Sequence, residues 1–353
     1  MDSLHVMSNS TFVSTKNLRL NWLGSSIEVR TSSRFGERVV KILSVELEHF
    51  TKRCEILPSA TITIVDPGRV LASQFSSGRL RFKFRGIKVK ILKQGRAIFY
   101  PDGCEALLTN QLANQLTNQS PLDVKISAPS IEVAARRIYL LALSLLGEDL
   151  ERKGFMRIHA ASFAHDLGAT AVLAPSGTGK STLAAQILRG SSLNLYSDEI
   201  TLLKNGTLYP FPCRMALKPP QEERISIPQN RIAVPTVLHK IYLATRVSEK
   251  CFTIQTLTTR RAASLIAQLT IGWHLPQLLE VALRRDSFFF LCQMLVRRLA
   301  TALKLVILRK TGVLQLATNP PGEARERDFQ ELLRALSQTK TALNSESLTV
   351  RQV

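Results

Sequence analysis

The chain has 353 residues, enough for two ordinary domains, and its 45% hydrophobic and 21% charged content is that of a globular protein with a real core. Its longest apolar runs, Ile138 to Gly147 and Phe288 to Val296, are interrupted by polar residues and fall short of the ~20 apolar residues that a membrane-spanning helix needs, so no membrane partner is expected. The formal net charge of +20 implies a long-range attraction to anions such as nucleotides or acidic peptides, or else a solvated basic surface.

Cys54, Cys104, Cys213, Cys251 and Cys292 are scattered singly and are odd in number, which suits reduced thiols and neither a disulfide framework nor a zinc site. Met1-Asp2-Ser3-Leu4-His5 has no basic start and no apolar core of a secretion signal. A cytoplasmic protein is expected.

In chain order, residues 1–130 read as a β-rich domain. Strands are expected at Val39 to Leu43 and at Ala60 to Val65, the second closed by Asp66-Pro67-Gly68. Arg79 to Arg85 alternates with period two, and after Gly86 the alternation resumes at Ile87 to Ile91. This is a hairpin with one apolar face and one face carrying Arg79, Arg81, Lys83, Arg85, Lys88 and Lys90. That basic face is either solvated or a docking surface for an acidic peptide. Asn110 to Ser120 is polar and reads as a loop or an exposed helix end.

A second domain is expected over 131–323. Ser130 is an N-cap candidate for a helix running to Leu146, followed by a strand at Arg157 to Phe163 and a turn at Ala164 to Gly168. A further helix should end at Arg189-Gly190, with the glycine as a left-handed cap. Leu193 to Leu203 reads as one strand, returned by the tight turn Asn205-Gly206 into Thr207 to Tyr209. Later strands are expected at Lys240 to Ala244 and Lys304 to Leu308, with helices at Ala262 to Leu269 and Pro276 to Leu299. Residues 324–353 hold one amphipathic helix, Asp328 to Leu336, and a polar end.

The chemistry centres on Ala174-Pro175-Ser176-Gly177-Thr178-Gly179-Lys180-Ser181-Thr182, between the apolar strand Ala171-Val172-Leu173 and a run of helix formers. Strand, glycine-rich turn and helix start together wrap backbone N–H groups around a chain of phosphates. Gly177 and Gly179 can take φ > 0, Lys180 reaches the outer phosphates, and the Ser181 hydroxyl suits Mg²⁺. Ala174 stands where the usual pattern opens with glycine.

Asp198-Glu199 follows on the next strand, with Asp198 only 18 residues after Lys180. One carboxylate can hold Mg²⁺ with Ser181, and one can accept a proton from an attacking hydroxyl. His159 lies on a strand expected beside the loop strand, from which it can face the terminal phosphate.

His159-Ala160-Ala161, then Ser176 to Ser181, then Ser197-Asp198-Glu199 resemble the core of the HPr kinase/phosphorylase family, whose fold is that of the ATP-type PEP carboxykinases. Tyr209-Pro210-Phe211-Pro212 and Ala216-Leu217-Lys218 resemble a segment of the HPr-kinase-like kinases of ribosomal and lasso peptide biosynthesis. The resemblance covers about residues 150–218. Glu199 stands where the family has a second aspartate, and the glycine-rich signature of the bifunctional enzymes is absent.

What the resemblance implies is an α/β fold: a P-loop kinase core of HPr kinase/PEP carboxykinase type with a mixed sheet, preceded by the smaller β-rich domain. It further implies ATP and Mg²⁺ as cofactors, His159, Lys180, Asp198 and Glu199 as catalytic residues, Ser181 and Asp198 at the metal, and a homo-oligomer. The substrate would be a serine hydroxyl of a peptide or small protein, with the basic hairpin, Arg214 and Lys218 as contacts for phosphate or acidic groups. Which acid is the base stays open. So do two alternatives: a nucleotide-binding regulator without kinase activity, and a kinase of free serine or another small metabolite. No recognition helix, zinc spacing or aromatic-basic motif points to nucleic acid.

Overall fold

The computed structural model describes residues 16–51, 56–67, 79–84, 86–92, 95–109, 122–174, 177–216, 224–247, 253–256 and 311–317, together with a few helical positions between 292 and 303. The chain divides into two compact units, Met1–Leu146 and Gly147–Val353. It is mixed α/β, with two large mixed sheets and few helices.

In the first unit, strands β1 (Asn17–Trp22) and β2 (Ser25–Thr31) form a hairpin. Helix α1 (Arg34–Glu46) then crosses over to β3 (Ala60–Val65), which lies parallel to β2. The strand expected at Val39 to Leu43 is thus part of a helix. The Ser33 hydroxyl accepts the Gly36 N–H (3.1 Å) and starts the helix, and Gly36, Val39, Val40 and Leu43 are buried at helical spacing. That burial outweighs the strand preference of the two valines.

Strands β4 (Arg79–Phe84), β5 (Ile87–Leu92), β6 (Gly95–Phe99), β7 (Glu105–Thr109) and β8 (Leu122–Ser127) complete an eight-stranded sheet in the order β1-β2-β3-β8-β7-β6-β5-β4. The expected basic hairpin is β4–β5. On β5, Ile87 and Val89 are buried, Lys88 is exposed, and Lys90 lies over the Phe99 ring at 5.7 Å.

Helix α2 (Ile131–Arg152) starts where the Ser130 hydroxyl accepts the Val133 N–H (3.3 Å). It runs past the expected end at Leu146, and its last turns carry the ion pairs Glu148–Arg152 (2.7 Å) and Asp149–Lys153 (2.9 Å).

After the last turns of α2, the second unit continues with β9 (Met156–His165) and β10 (Gly168–Leu173), an antiparallel hairpin as expected. Then come α3 (Lys180–Gly190), β11 (Asn194–Ser197), β12 (Ile200–Lys204), β13 (Thr207–Tyr209), the short pair β14 (Met215–Ala216) and β15 (Arg224–Ile225), β16 (Thr236–Val247), β17 (Thr253–Thr256) and β18 (Thr311–Ala317). Asn205 (φ 50°) and Gly206 (φ 77°) make the expected tight turn, because both positions are left-handed.

The main sheet runs β10-β9-β12-β13-β16-β18-β17, and β10 also pairs with β16. The strands β10, β9, β12, β13 and β16 therefore close into a ring. Alternate residues of these strands fill it: Ile158 and Ala160, Ala171 and Leu173, Leu203, Leu208, Ile241 and Leu243. The opposite face of β9, β10 and β16, with Phe163, Val172 and Tyr242, is covered by Leu183, Ala184 and Ile187 of α3.

Two expectations need correction here. Helix α3 ends through Ser191 in an extended conformation, with Ser191 N and Oγ both donating to the Ile187 carbonyl (3.2 and 2.8 Å), and not through a left-handed Gly190. The single strand expected over Leu193 to Leu203 is broken at Asp198-Glu199 into β11 and β12, which pair with successive parts of β9. The expected strand at Lys304 to Leu308, the helices at Ala262 to Leu269 and Asp328 to Leu336, most of Pro276 to Leu299, and the segment Asn110 to Ser120 lie outside the described residues. Among the described residues no helix is long and apolar enough to cross a membrane.

Candidate functional site

The chain leaves β10 at Leu173 and enters α3 at Lys180 through the glycine-rich loop. Gly177 (φ 85°) and Gly179 (φ 105°) are both left-handed, a conformation that any Cβ would strain. Gly179 caps α3 without a side-chain hydrogen bond, and the first turn carries no acidic residue. The positive end of the helix therefore carries no acidic side chain in its first turn, a setting that favours an anion.

Ala174 is fully buried in the α3 core, so alanine fits at the loop mouth. Lys180 is buried, and its Nζ donates to the Ala174 carbonyl at 2.7 Å. Thr178 is buried, Ser181 half-buried, and Thr182 exposed on the first turn; Pro175 and Ser176 lie outside the described residues.

The acids reach this loop from the neighbouring strand pair. Between β11 and β12 the backbone bends, and the fully buried Ser197 holds the bend: its hydroxyl accepts the N–H groups of Glu199 (3.2 Å) and Ile200 (3.1 Å). One rung of the ladder survives, in which the Ala160 N–H donates to the Glu199 carbonyl (3.1 Å). The Ala160 carbonyl accepts instead from the Thr201 hydroxyl (3.4 Å), which is hydrogen-bonded to the Ser162 hydroxyl.

Asp198 is buried and hydrogen-bonds Ser181. Burial pushes its carboxyl above the usual range, while the Ser181 hydrogen bond and the Lys180 charge pull it back down. Glu199 reaches solvent but has protein around most of it. That desolvation, then the charge of Asp198, pushes its carboxyl up, and Lys180 opposes the shift. Glu199 keeps solvent access, whereas Asp198 is buried.

His159 is buried on β9 opposite Ile200, one residue from the Ala160 rung. By strand alternation it shares its face with Ala161 and Phe163, the face that α3 covers. The structure thus brings Lys180, Ser181, Asp198 and Glu199 together, with His159 beside the acidic bend. Arg214 is a half-buried residue between β13 and β14, and Lys218 lies outside the described residues.

Ser181 and Asp198 offer a hydroxyl and a carboxylate side by side, hard oxygen ligands of the kind Mg²⁺ takes together with water and phosphate oxygens. Among the described residues no group of three or more His, Cys, Asp or Glu is placed to hold a metal ion.

Two supporting residues were not visible as such in the sequence. The signal that could have found Ser197 is a serine inside an apolar run, whose hydroxyl can take backbone N–H groups two and three residues on. Arg231 was not signalled: its guanidinium donates to the carbonyls of Leu188 (3.2 Å), Ser191 (2.8 Å) and Leu193 (2.7 Å), and so fixes the far end of α3. No family model matches the chain, and no curated protein is similar to it.

Proposed function

We propose that the chain is an ATP- and Mg²⁺-dependent kinase of HPr-kinase-like type, working in the cytoplasm on a serine hydroxyl of a peptide or small protein. The observation that carries the reading is the buried Asp198 carboxylate, whose pKa the Ser181 hydroxyl and the Lys180 charge both pull down, at the N-terminus of α3. A phosphate-binding loop alone supports nucleotide binding. A buried carboxylate held against its serine supports chemistry on that nucleotide.

In this reading the loop N–H groups and Lys180 bind and orient the β- and γ-phosphates, and Ser181 and Asp198 hold Mg²⁺. When bound, the metal neutralises charge on the phosphate oxygens. The acceptor hydroxyl oxygen attacks the γ-phosphorus, and ADP leaves. Glu199, the acid that reaches solvent, takes the hydroxyl proton. His159 steadies the acidic pair.

The test is transfer of labelled γ-phosphate from ATP to a peptide pool containing serine, threonine or tyrosine. Label on serine, abolished by Lys180→Ala, is expected. ATP left intact with every hydroxyl acceptor would contradict the proposal.

A further inference from the structure

We infer that Ser197 is a positioning residue for the acidic pair: its buried hydroxyl sets where the Asp198 carboxylate sits, and thereby how tightly the site holds its divalent cation. This rests on the kinase reading above.

The ladder between β9 and its partners breaks at the acids. β9 pairs with β11 up to Ser197 and with β12 from Ile200, so Asp198 and Glu199 fall in the gap. In a continuous antiparallel pair the Glu199 N–H and the Ala160 N–H would each cross to the other strand. Only the Ala160 N–H does. The Glu199 N–H turns back to the Ser197 hydroxyl, which also takes the Ile200 N–H, and the Ala160 carbonyl is satisfied by Thr201.

Side-chain oxygens thus replace the missing rung, and Ser162, Ser197 and Thr201 are all fully buried. Without the Ser197 hydroxyl, two backbone donors lose their acceptor, that of Ile200 in a buried place. The backbone would then relax toward regular pairing, turning the carboxylate of Asp198 away from Ser181. Residues one step behind a metal ligand commonly change metal affinity by 10–100-fold when removed.

The experiment measures three quantities on the full chain: ADP affinity in EDTA, Mn²⁺ affinity of the ADP-bound protein by its paramagnetic resonance signal, and amide exchange at Glu199 and Ile200. For Ser197→Ala we expect Mn²⁺ affinity to fall about tenfold or more, ADP affinity in EDTA to stay within about twofold, and exchange at both amides to accelerate. Ser197→Thr keeps the acceptor and should restore Mn²⁺ affinity to within about threefold. If Ser197→Ala does not fold, Ser197→Cys, with a weak acceptor in similar volume, gives the same reading.

Unchanged Mn²⁺ affinity in Ser197→Ala overturns the inference while leaving the kinase reading intact. Equal loss of metal-free ADP binding overturns it too, because Ser197 would then act on the whole site. A wild-type protein that binds no ADP overturns the kinase reading itself, and this inference with it.

Discussion

Lys180 Nζ donates a 2.7 Å hydrogen bond to the Ala174 carbonyl, so the loop is tied between its first residue and its lysine. The same ammonium lowers the pKa of both Asp198 and Glu199 against the effect of burial. One side chain therefore serves the loop's shape and the charge balance of the acids. Lys180→Ala should weaken ATP binding about 10–100-fold, the worth of one hydrogen bond between charged groups. It should also lower stability by about 1–3 kcal/mol, because the buried Ala174 carbonyl loses its donor. Fluorescence titration with a labelled ATP and a thermal melt read the two effects separately.

Asp198 gives a pH prediction with a definite sign. Its carboxyl in the folded chain is raised above the value of 3.8 that it has when free, so the folded state holds that proton more tightly. The stability associated with it is complete below that value and is lost as pH rises through the folded pKa. Asp198→Asn should therefore match wild type in melting temperature near pH 4 and exceed it by roughly 2–4 °C at neutral pH, while losing phosphoryl transfer. A variant less stable than wild type at neutral pH would contradict the burial of an ionisable Asp198.

Gly147 and Arg157 form a testable pair beneath α2. A Cβ on Gly147 would lie 2.5 Å from Nη1 of Arg157, whose side chain is fully buried and bonded through Nε to Glu151 (2.8 Å). Gly147→Ala should destabilise the chain despite a helix-propensity gain of about 1 kcal/mol. In an Arg157→Met background the same change should become stabilising by about that amount, as a double-mutant cycle in chemical denaturation would show.

Arg231→Ala removes four hydrogen bonds to the carbonyls of Ile187, Leu188, Ser191 and Leu193, at and after the end of α3. A loss of roughly 2–3 kcal/mol is expected from bonds donated by a charged group, read as a lower denaturation midpoint. A change below about 0.5 kcal/mol would mean that water replaces the guanidinium.

The features legible in the sequence were those fixed by local chemistry. Gly177 and Gly179 announced a loop that needs positive φ, Asn205-Gly206 announced its turn, and the alternation from Arg79 to Ile91 announced its hairpin. Val39-Val40 misled because Ser33, the cap that decides the helix, lies outside the apolar run. The break at Asp198-Glu199 was hidden by the apolar residues on both sides, which suit one long strand as well as two short ones. Closure of the ring through β10 and β16 joins residues some 70 positions apart, and no local pattern signals such a pairing.

The central claim is that the loop and the acidic bend form one metal–nucleotide site, and calorimetric titration of ATP with and without Mg²⁺ tests it most directly. Wild type should bind ATP more tightly with Mg²⁺, Lys180→Ala should lose binding in both conditions, and Asp198→Asn should keep metal-free binding but lose the gain from Mg²⁺. ATP affinity that is the same in all three proteins, or indifferent to Mg²⁺ in wild type, would contradict it.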